Sequence, residues 1–358
     1  MVKGWRFTRI ASTLIVLAIF GEPSLSAAQN SALEFDGEVV ADAKLFEMAK
    51  KEGKLVMYSA FAGDALKLVI DAFQADTGIR VEAVRLVSER LYQRVLAEHA
   101  TGRLNADYID LTDLPLVKDL VKKGVLNNPY KTLFFESIPT QAREAEGRWY
   151  AFYRPVSTIG VNAATVKETE QPRLWRDLLA PHWRSRIGLQ SIDVGGSAFT
   201  LNMFLRDVYD GNFWSKLAAQ KPRIYPGVAP AITDMVRGEI SIVAIGSPPL
   251  VVQKAQGAPI RVIFPEDGLP SFPVAGGIPV SSRNPYAAKV LLNWLTSKRG
   301  GVAIGNSGSY PANKDAAPPR AGGMSFPAAD KVWNIDVNEW EKKRVDYAND
   351  WRSIFGQN

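Results

Sequence analysis

The segment Asp193-Val194-Gly195-Gly196-Ser197-Ala198-Phe199 is the most specific chemical signal of the sequence, because it joins a predicted strand to a predicted helix. Its glycines would allow a ligand to approach the backbone closely. Ser197 and the first free N–H groups of the helix would offer donors at the positive end of the helix dipole, which suits a carboxylate or a phosphate. An ordinary turn with Ser197 as helix cap would fit the same residues. No Gly-Lys-Ser/Thr follows, so the segment is not a P-loop.

Side chains that could catalyse a reaction are scarce elsewhere. The 358 residues include no cysteine and two histidines, His99 and His182. This composition excludes disulfides, thiolate metal sites and cysteine nucleophiles, and it leaves few imidazole bases. The sequence contains no GxSxG elbow, no HExxH and no GxGxxG after a strand. We therefore expect neither an enzyme nor a bound cofactor.

The first 28 residues have the pattern of a signal peptide. Lys3, Arg6 and Arg9 precede an uncharged apolar run over residues 10–20, and small residues end at Ala28. The run is shorter than the roughly 18 residues that a membrane span needs. We expect cleavage after Ala28 and a protein that works outside the cytoplasm. An uncleaved N-terminal anchor is the alternative.

Size and charge limit the classes that remain. The chain has 358 residues, so about 330 remain after the leader, more than a single core usually holds, and two lobes are expected. The net charge is +6, with 43 basic and 37 acidic residues and no run of five like charges. This mild excess does not predict nucleic-acid binding.

Strands and helices alternate over residues 54–111. We predict strands at 54–59, 79–84 and 108–111, with a helix between each pair, and we expect Asp64 to cap the first helix. This order predicts an α/β fold with a mostly parallel sheet. Because ligands bind beyond the carboxyl ends of such strands, residues 59–64 and 112–113 become candidates.

The alternation breaks at residues 149–162, where Pro155 separates two strand-like segments. A second region with its own strands and helices follows as far as residue 264. An extended segment at 272–280 then leads to a helix at 287–297. This arrangement favours a second lobe with a separate core.

The chain resembles the extracellular solute-binding proteins of ATP-binding-cassette (ABC) importers. The phrases that carry the resemblance occur in the order typical of that family: GKLVMYSA, AFQADTGIRVEAV, ADYIDLT, IGVNAATV, LWRDLLAPHWRSRIGLQSIDVGGSAF, MVRGEISIVAIG, KAQGAPIRVIFPEDG, NPYAAKVLLNWLTSKRG and SYPANKD. The branch that it resembles most is the ferric-iron-type group of family 1. The resemblance implies a type 2 periplasmic-binding-protein fold, with two α/β lobes, a hinge of paired crossover strands and a ligand cleft between the lobes. It implies that residues 29–154 and 276–358 form lobe 1 and that residues 155–275 form lobe 2.

The resemblance also implies where the ligand binds. The anion site of the family matches Gly195, Gly196, Ser197 and Ala198. Arg154 at the crossover would add a charge-assisted contact, although a hinge salt bridge would explain it equally well. The aromatic residues Phe61, Tyr225, Phe272 and Tyr310 fall in predicted loops at the cleft, where they would pack on an organic ligand or in the core. The expected ligand residues are Ser59, Phe61, Asp113, Arg154, Ser157, Gly195, Gly196, Ser197, Ala198, Tyr225, Ser247, Phe272 and Tyr310.

One departure from the family pattern concerns metal binding. Iron-binding members carry two consecutive tyrosines shortly after the strand that corresponds to residues 240–245. Residues 246–250 read GSPPL here, and the chain contains no Tyr-Tyr pair. A hard trivalent cation would have too few anionic ligands, so we expect no metal. A metal carrier that uses a synergistic anion with Tyr225 and Asp113 is one alternative, and an exported hydrolase is another.

These observations predict a function. We expect a periplasmic solute-binding protein that captures a small anionic organic solute, bearing a carboxylate or a phosphate, by closure of its lobes. It would deliver the solute to the membrane permease of an ABC importer, act as a monomer and bind no nucleic acid. No cysteine is present for a lipid anchor, so an outer membrane would retain the protein.

Overall fold

The computed structural model describes residues 1, 2, 4 and 31–356. The chain divides into a unit Met1–Asn30 and a unit Ser31–Asn358, and the second unit has the fold given below. The predicted signal peptide and its cleavage site lie outside the described residues, apart from positions 1, 2 and 4. Within the described part of the chain, no helix is both long enough and apolar enough to cross a membrane.

Helices and strands alternate along the second unit. The helices are α1 (Ala43–Glu52), α2 (Gly63–Thr77), α3 (Ser88–Ala100), α4 (Leu114–Lys122), α5 (Gly196–Val208), α6 (Phe213–Ala219), α7 (Val228–Arg237), α8 (Ser247–Ala255), α9 (Pro285–Thr296), α10 (Lys298–Asn306) and α11 (Val337–Phe355). The strands are β1 (Leu33–Phe35), β2 (Glu38–Ala41), β3 (Lys54–Ser59), β4 (Arg80–Arg85), β5 (Tyr108–Leu111), β6 (Tyr150–Arg154), β7 (Ser157–Asn162), β8 (Ile187–Gln190), β9 (Arg223–Tyr225), β10 (Ile242–Gly246), β11 (Ile260–Ile263), β12 (Leu269–Ser271), β13 (Val274–Gly277), β14 (Tyr310–Pro311), β15 (Arg320–Ala321), β16 (Met324–Ser325) and β17 (Val332–Asn334).

The first of two large sheets has the strand order β14-β6-β13-β5-β3-β4. β3 pairs in parallel with β4 and with β5, as the alternation of strands and helices predicts. β13 pairs antiparallel with β5 and β6, because β6 leads the chain out of the sheet and β13 brings it back. The sheet is therefore mixed, and the expectation of a mostly parallel sheet holds only for β3, β4 and β5. We call this sheet and its helices the first lobe.

The second large sheet has the order β11-β7-β10-β8-β9. β8 pairs in parallel with β9 and β10, whereas β7 runs antiparallel to β10 and β11. Alternate residues of β10 belong to different apolar clusters, with Ile242 and Ala244 in one and Val243 and Ile245 in the other. Since successive side chains of a strand point to opposite faces, both faces of this sheet are covered. We call this sheet and its helices the second lobe.

Two connections between the lobes lie side by side. β6 continues through Pro155 into β7, and the chain returns between β12 and β13. The carbonyl of Pro155 accepts hydrogen bonds from the backbone N–H of Phe272 at 3.2 Å and from Ser271 Oγ at 3.1 Å. Val156 also forms an antiparallel bridge with Ser271. These contacts form the paired crossover that the resemblance implies, close to Arg154.

The start of α2 differs from the prediction. The helix begins at Gly63 after Ala62, and no side chain caps it. Asp64 lies in the first turn, where its carboxylate accepts a hydrogen bond from Gln253 Nε2 of α8 at 2.8 Å. The expectation that Asp64 caps this helix is wrong, because its carboxylate is turned toward the other lobe. The predicted stop at Gly78 is confirmed by its left-handed φ of 71°.

The final helix, α11, packs on the second lobe. Trp340 stacks on Phe199 with ring centroids 5.6 Å apart, and Trp351 Nε1 donates to Asn202 Oδ1 at 2.9 Å. Both tryptophans are fully buried in the core of that lobe. The lobe bounds that we predict at residues 154 and 275 stay a prediction. α11 contacts both lobes, since it packs on α5 and α6 of the second lobe and on α4 of the first.

Candidate functional site

A cavity lies between the two lobes, beyond the carboxyl ends of several strands. Its volume is about 530 Å³, including the space at its mouth. We call it the inner cavity. The first lobe lines it with Phe61, Arg85, Ser88 and Thr112, and the second lobe and the crossover line it with Gln190, Ser197, Gly227 and Phe272.

Four helices begin at the wall of the inner cavity, and within residues 31–356 no side chain caps any of them. They are α2, α3, α5 and α7, whose first turns or preceding residues supply Ala62, Val87, Ser197 and Gly227 to the wall. The first N–H groups of a helix have no partner within the helix. α8 also begins there, but Pro248 and Pro249 carry no N–H.

Helices that begin away from the inner cavity are mostly capped. Asp42, Asp113, Ser297 and Asp336 cap α1, α4, α10 and α11. The carboxylate of Glu52 accepts from the first backbone N–H groups of α9. No side chain of the described residues caps the short helix α6. Most helices that begin elsewhere therefore have a side-chain oxygen at their N-terminus, whereas α2, α3, α5 and α7 have none in the part of the chain that the structure describes. At the inner cavity, a ligand would provide the oxygen atoms that these four helix N-termini lack.

Arg85 is the cationic side chain of this wall. It lies at the end of β4 beside Ser59 of β3, and its Nε donates to the carbonyl of Phe61 at 3.1 Å. No carboxylate of the described residues lies within ion-pair distance of its guanidinium, and no acidic side chain lines the inner cavity. The hydrogen bond orients the side chain, so its terminal N–H groups are available to a bound anion.

Aromatic rings form the apolar part of the wall. The ring of Phe61 stacks on Tyr153 with centroids 4.6 Å apart. The ring of Phe272 lies against Gly246, where an added Cβ would be 3.1 Å from it. Both residues were predicted from the sequence, and with Ser197 they are the three predicted ligand residues that the structure places on the inner cavity.

Ser59 lies beneath the inner cavity and positions its wall. Its Oγ donates to Asp110 Oδ1 at 2.7 Å and accepts from the N–H of Phe61 at 3.1 Å. The same carboxylate oxygen accepts from the N–H of Ala60 at 3.1 Å. Asp110 is fully buried, and burial raises its pKa to about 6 against these hydrogen bonds, which lower it. Ser59 and Asp110 therefore hold the loop that presents Phe61.

The raised pKa of Asp110 predicts a pH dependence of stability. The folded protein holds this proton up to about pH 6, whereas an unfolded aspartate releases it near its ordinary pKa of 3.8. The folded state binds more protons in this window, so the contribution of Asp110 to stability falls as the pH rises through it and is level above it. We expect Asp110→Asn to remove this fall, which amounts to about 3 kcal/mol. Urea unfolding of both proteins between about pH 4 and 6.5 measures it, and parallel stability curves would contradict it.

Three further predicted residues use their hydroxyl groups within the protein. They donate to the following acceptors: Tyr225 to Asp234 Oδ2 at 2.7 Å, Tyr310 to the carbonyl of Pro327 at 2.7 Å, and Ser247 to the carbonyl of Gly308 at 2.8 Å. None of the three lines the inner cavity. Their part in ligand binding stays a prediction.

The remaining predicted residues surround the inner cavity without lining it. Gly195 and Gly196 lie against Thr112 of the first lobe, and Ala198 is buried in α5. Ser157 of β7 is the strand partner of Gly246, and Arg154 of β6 is the strand partner of Tyr310. Asp113 forms an ion pair with Arg344. Burial lowers the pKa of Arg154, and its Nε has no hydrogen-bond partner among the described residues. Their role as ligand residues also stays a prediction.

Several wall residues were not predicted, although the rule for strand ends would have found two of them. Arg85 and Gln190 are the last residues of β4 and β8. Gly227 precedes α7, and Ser88 begins α3, where its Oγ accepts from the N–H of Thr112 at 2.8 Å. The placement of the last two depends on contacts between elements that no local pattern shows.

The arrangement of His, Cys, Asp and Glu side chains in the described residues bears on metal binding. No group of three or more His, Cys, Asp or Glu side chains is arranged there to hold a metal ion. The two groups proposed for a metal carrier are engaged elsewhere, since Tyr225 donates to Asp234 and Asp113 forms an ion pair with Arg344.

Comparison with known proteins agrees with this architecture. A relative, the Fe(3+)-binding periplasmic protein of Serratia marcescens, is 22% identical over 262 residues, which are 71% of this chain and 77% of the relative. AfuA of Actinobacillus pleuropneumoniae, a periplasmic binding protein solved with fructose-6-phosphate bound, has a TM-score of 0.70 at 19% identity, covering 85% of this chain and 99% of AfuA. Iron-bound HitA of Pseudomonas aeruginosa has a TM-score of 0.64 at 20% identity, covering 83% of this chain and 99% of HitA.

These structures confirm the predicted type 2 fold with two lobes. The family model for bacterial extracellular solute-binding proteins matches residues 106–340, which include the crossover, the whole second lobe and the start of α11. The match confirms the resemblance on which the sequence analysis relied. The chain therefore belongs to the bacterial extracellular solute-binding proteins.

Proposed function

We propose that this solute-binding protein captures a small organic anion in its inner cavity. The observation that carries the proposal is the convergence of four uncapped helix N-termini and the unpaired guanidinium of Arg85 on a wall without acidic side chains. Each of these features stabilises negative charge, and the partial enclosure of the cavity strengthens their effect. Phe61 and Phe272 would pack on the organic part of the solute.

A metal cargo has less support from this wall. Relatives of the chain include proteins named for ferric iron. The residues that line the inner cavity include no tyrosine, carboxylate or histidine side chain, so a ferric ion would meet few anionic oxygens. AfuA, whose structure holds fructose-6-phosphate, shows that this fold also binds a phosphorylated organic solute.

The family assignment supports a role as the solute-binding component of a transporter. We propose that closure of the lobes around the anion creates the surface that a membrane permease recognises, and that the protein acts as a monomer without nucleic acid. Its periplasmic location would follow from a leader cleaved after Ala28. Intact mass and N-terminal sequencing of the exported protein test the leader, because cleavage elsewhere would change both.

The ligand is identified by native mass spectrometry of the purified protein, followed by release and analysis of the bound small molecule. We expect an anionic compound. A metal ion without an organic anion, or a neutral or cationic solute, would contradict the proposal.

Arg85→Gln tests the role of the guanidinium. Loss of a charge-assisted hydrogen bond is expected to weaken binding of the co-purified anion by about 10- to 100-fold. Arg90→Gln is the matched control, because Arg90 is exposed on α3 and lines neither the inner cavity nor its mouth. Isothermal titration calorimetry measures both variants. Equal affinities of the Arg85 variant and the wild type would show that the anion binds elsewhere.

A further inference from the structure

A second, larger space continues from the inner cavity toward solvent. Its volume is about 1160 Å³, including the open space at its mouth. The two spaces share Ala62, Arg85, Val87, Gly227, Val228 and Pro249, so a single ligand can occupy both. We call the second space the outer chamber.

The helix α7 forms the floor of the outer chamber. Val228 and Ile232 line it near the start of the helix, and Thr233, Val236 and Arg237 line it as far as the end of the helix. At about 100° per residue, these side chains wind around half of the helix, and Arg237 lies on the side opposite Val228. This lining is apolar in its middle, and it runs from the inner cavity at Gly227 to a cation at Arg237.

Arg237 has no partner within the described residues. The acidic residues nearest to it in sequence are engaged elsewhere, since Asp234 accepts from Tyr225 and pairs with Arg223, and Glu239 also pairs with Arg223. Among the described residues, the one carboxylate that lines the outer chamber is that of Asp64, which accepts a hydrogen bond from Gln253. An arginine at a helix C-terminus is favourable by itself, but this one also lines a chamber that opens from an anion site.

The length of α7 determines the distance between the two cationic regions. From Val228 to Arg237 the helix rises about 13 Å. Side chains lean toward the N-terminus of their helix, so the guanidinium lies roughly one turn nearer to the inner cavity than its Cα. The axial separation between the start of α7 and the guanidinium of Arg237 is therefore about 8 Å, and the rotation around the helix adds to it. A chain that joins two anionic groups bound at these places needs at least about six or seven atoms.

We propose that the natural solute carries two anionic groups at the ends of a short chain. One group lies in the inner cavity at the helix N-termini and Arg85, the other meets Arg237 in the outer chamber, and the chain between them lies on Ile232 and Val236. The inference rests on the proposed function, because it requires the first anion to bind in the inner cavity. It makes Arg237 the residue that distinguishes a solute with two anionic groups from a solute with one.

Two matched pairs of probes test the inference by calorimetry. 6-Phosphogluconate and sorbitol 6-phosphate differ only in a terminal carboxylate, and pimelate and its monomethyl ester differ only in one charge. For the wild-type protein, we expect the probe with two anionic groups to bind about tenfold more tightly than its partner in at least one pair. Arg237→Gln should abolish this preference and leave the affinity for the probe with one anionic group unchanged. Arg90→Gln should retain it.

The outcomes separate this inference from the proposed function. Equal affinities within both pairs, no binding of either probe with two anionic groups, or a preference that survives in Arg237→Gln would each overturn the inference. The proposed function is judged separately, by the charge of the co-purified solute and its dependence on Arg85. If the co-purified solute has one anionic group, and its binding depends on Arg85 and not on Arg237, the proposed function stands and the inference of two anionic groups is refuted.

Discussion

Gly196→Ala is expected to abolish ligand binding, with an affinity loss of more than about 100-fold. A Cβ at this position would lie 1.8 Å from the carbonyl oxygen of Thr112, a distance that neither backbone can accommodate. Thr112 follows β5 of the first lobe, and Gly196 begins α5 of the second. The added methyl group would keep the lobes apart at this point, so the closed arrangement of the inner cavity would not form.

The effect on folding should be much smaller than the effect on binding. Within the second lobe, the new Cβ would also lie 2.7 Å from the ring of Trp340, which predicts a loss of stability of about 1–3 kcal/mol. Thermal unfolding of the ligand-free protein measures this loss, and calorimetry with the co-purified solute measures binding. Gly211→Ala is the control, because nothing lies within 4 Å of its added Cβ. Wild-type affinity of a folded Gly196 variant would show that binding does not need this contact.

Arg344→Gln is expected to weaken ligand binding by about 10- to 100-fold, because it breaks an ion pair between the lobes. Arg344 lies on α11, which packs on the second lobe, and its guanidinium contacts the carboxylate of Asp113 at the start of α4 in the first lobe. The Asp113 side chain is 0% exposed, and that of Arg344 is 31% exposed. Burial raises the pKa of Asp113, and the charge of Arg344 opposes this rise.

The Arg344 variant is expected to destabilise the closed form of the protein relative to the open form. In that form the variant leaves a buried carboxylate without its cation, whereas opening of the lobes would return Asp113 to water. A fully buried pair broken in this way costs about 3–5 kcal/mol, and the partial exposure of Arg344 reduces this to about 1.5–3 kcal/mol.

The double variant Asp113→Asn/Arg344→Gln separates the ion pair from other effects. Asparagine caps a helix as well as aspartate, so α4 keeps its cap while both charges are removed. We expect the double variant to recover most of the affinity lost in the single Arg344 variant. Calorimetry with the co-purified solute checks this. A double variant as weak as the single one would mean that Arg344 acts through another contact, such as its approach to Glu89 at 3.8 Å.

The elements of the fold were largely predictable because they depend on local patterns. The strands at 54–59 and 108–111 and the stop at Gly78 follow from apolar alternation and from glycine at a left-handed position. The start of α2 was not, because Asp64 bonds to Gln253, which is 189 residues away in sequence. A capping pattern cannot report a competing partner so distant along the chain.

The candidate site was only partly predictable for the same reason. Ser197 and Phe272 were found from their segments, and both line the inner cavity. Asp113 was selected because it follows the carboxyl end of a strand, yet its carboxylate contacts Arg344, 231 positions later in the sequence. Ser59 was also selected, and the structure shows it bonded to Asp110 below the wall.

The sequence by itself determined the α/β character, the crossover near Arg154, the family and the placement of Ser197 at the start of a helix. All of these depend on residue order, turn residues and periodicity, which act over a few positions. Only the tertiary structure decided that four uncapped helix starts meet at the inner cavity, that Arg85 lines this cavity while Arg237 lines the outer chamber, and that α11 joins the lobes through Arg344. These features depend on which elements pack together, since the charge that a side chain meets is set by neighbours far away in the chain.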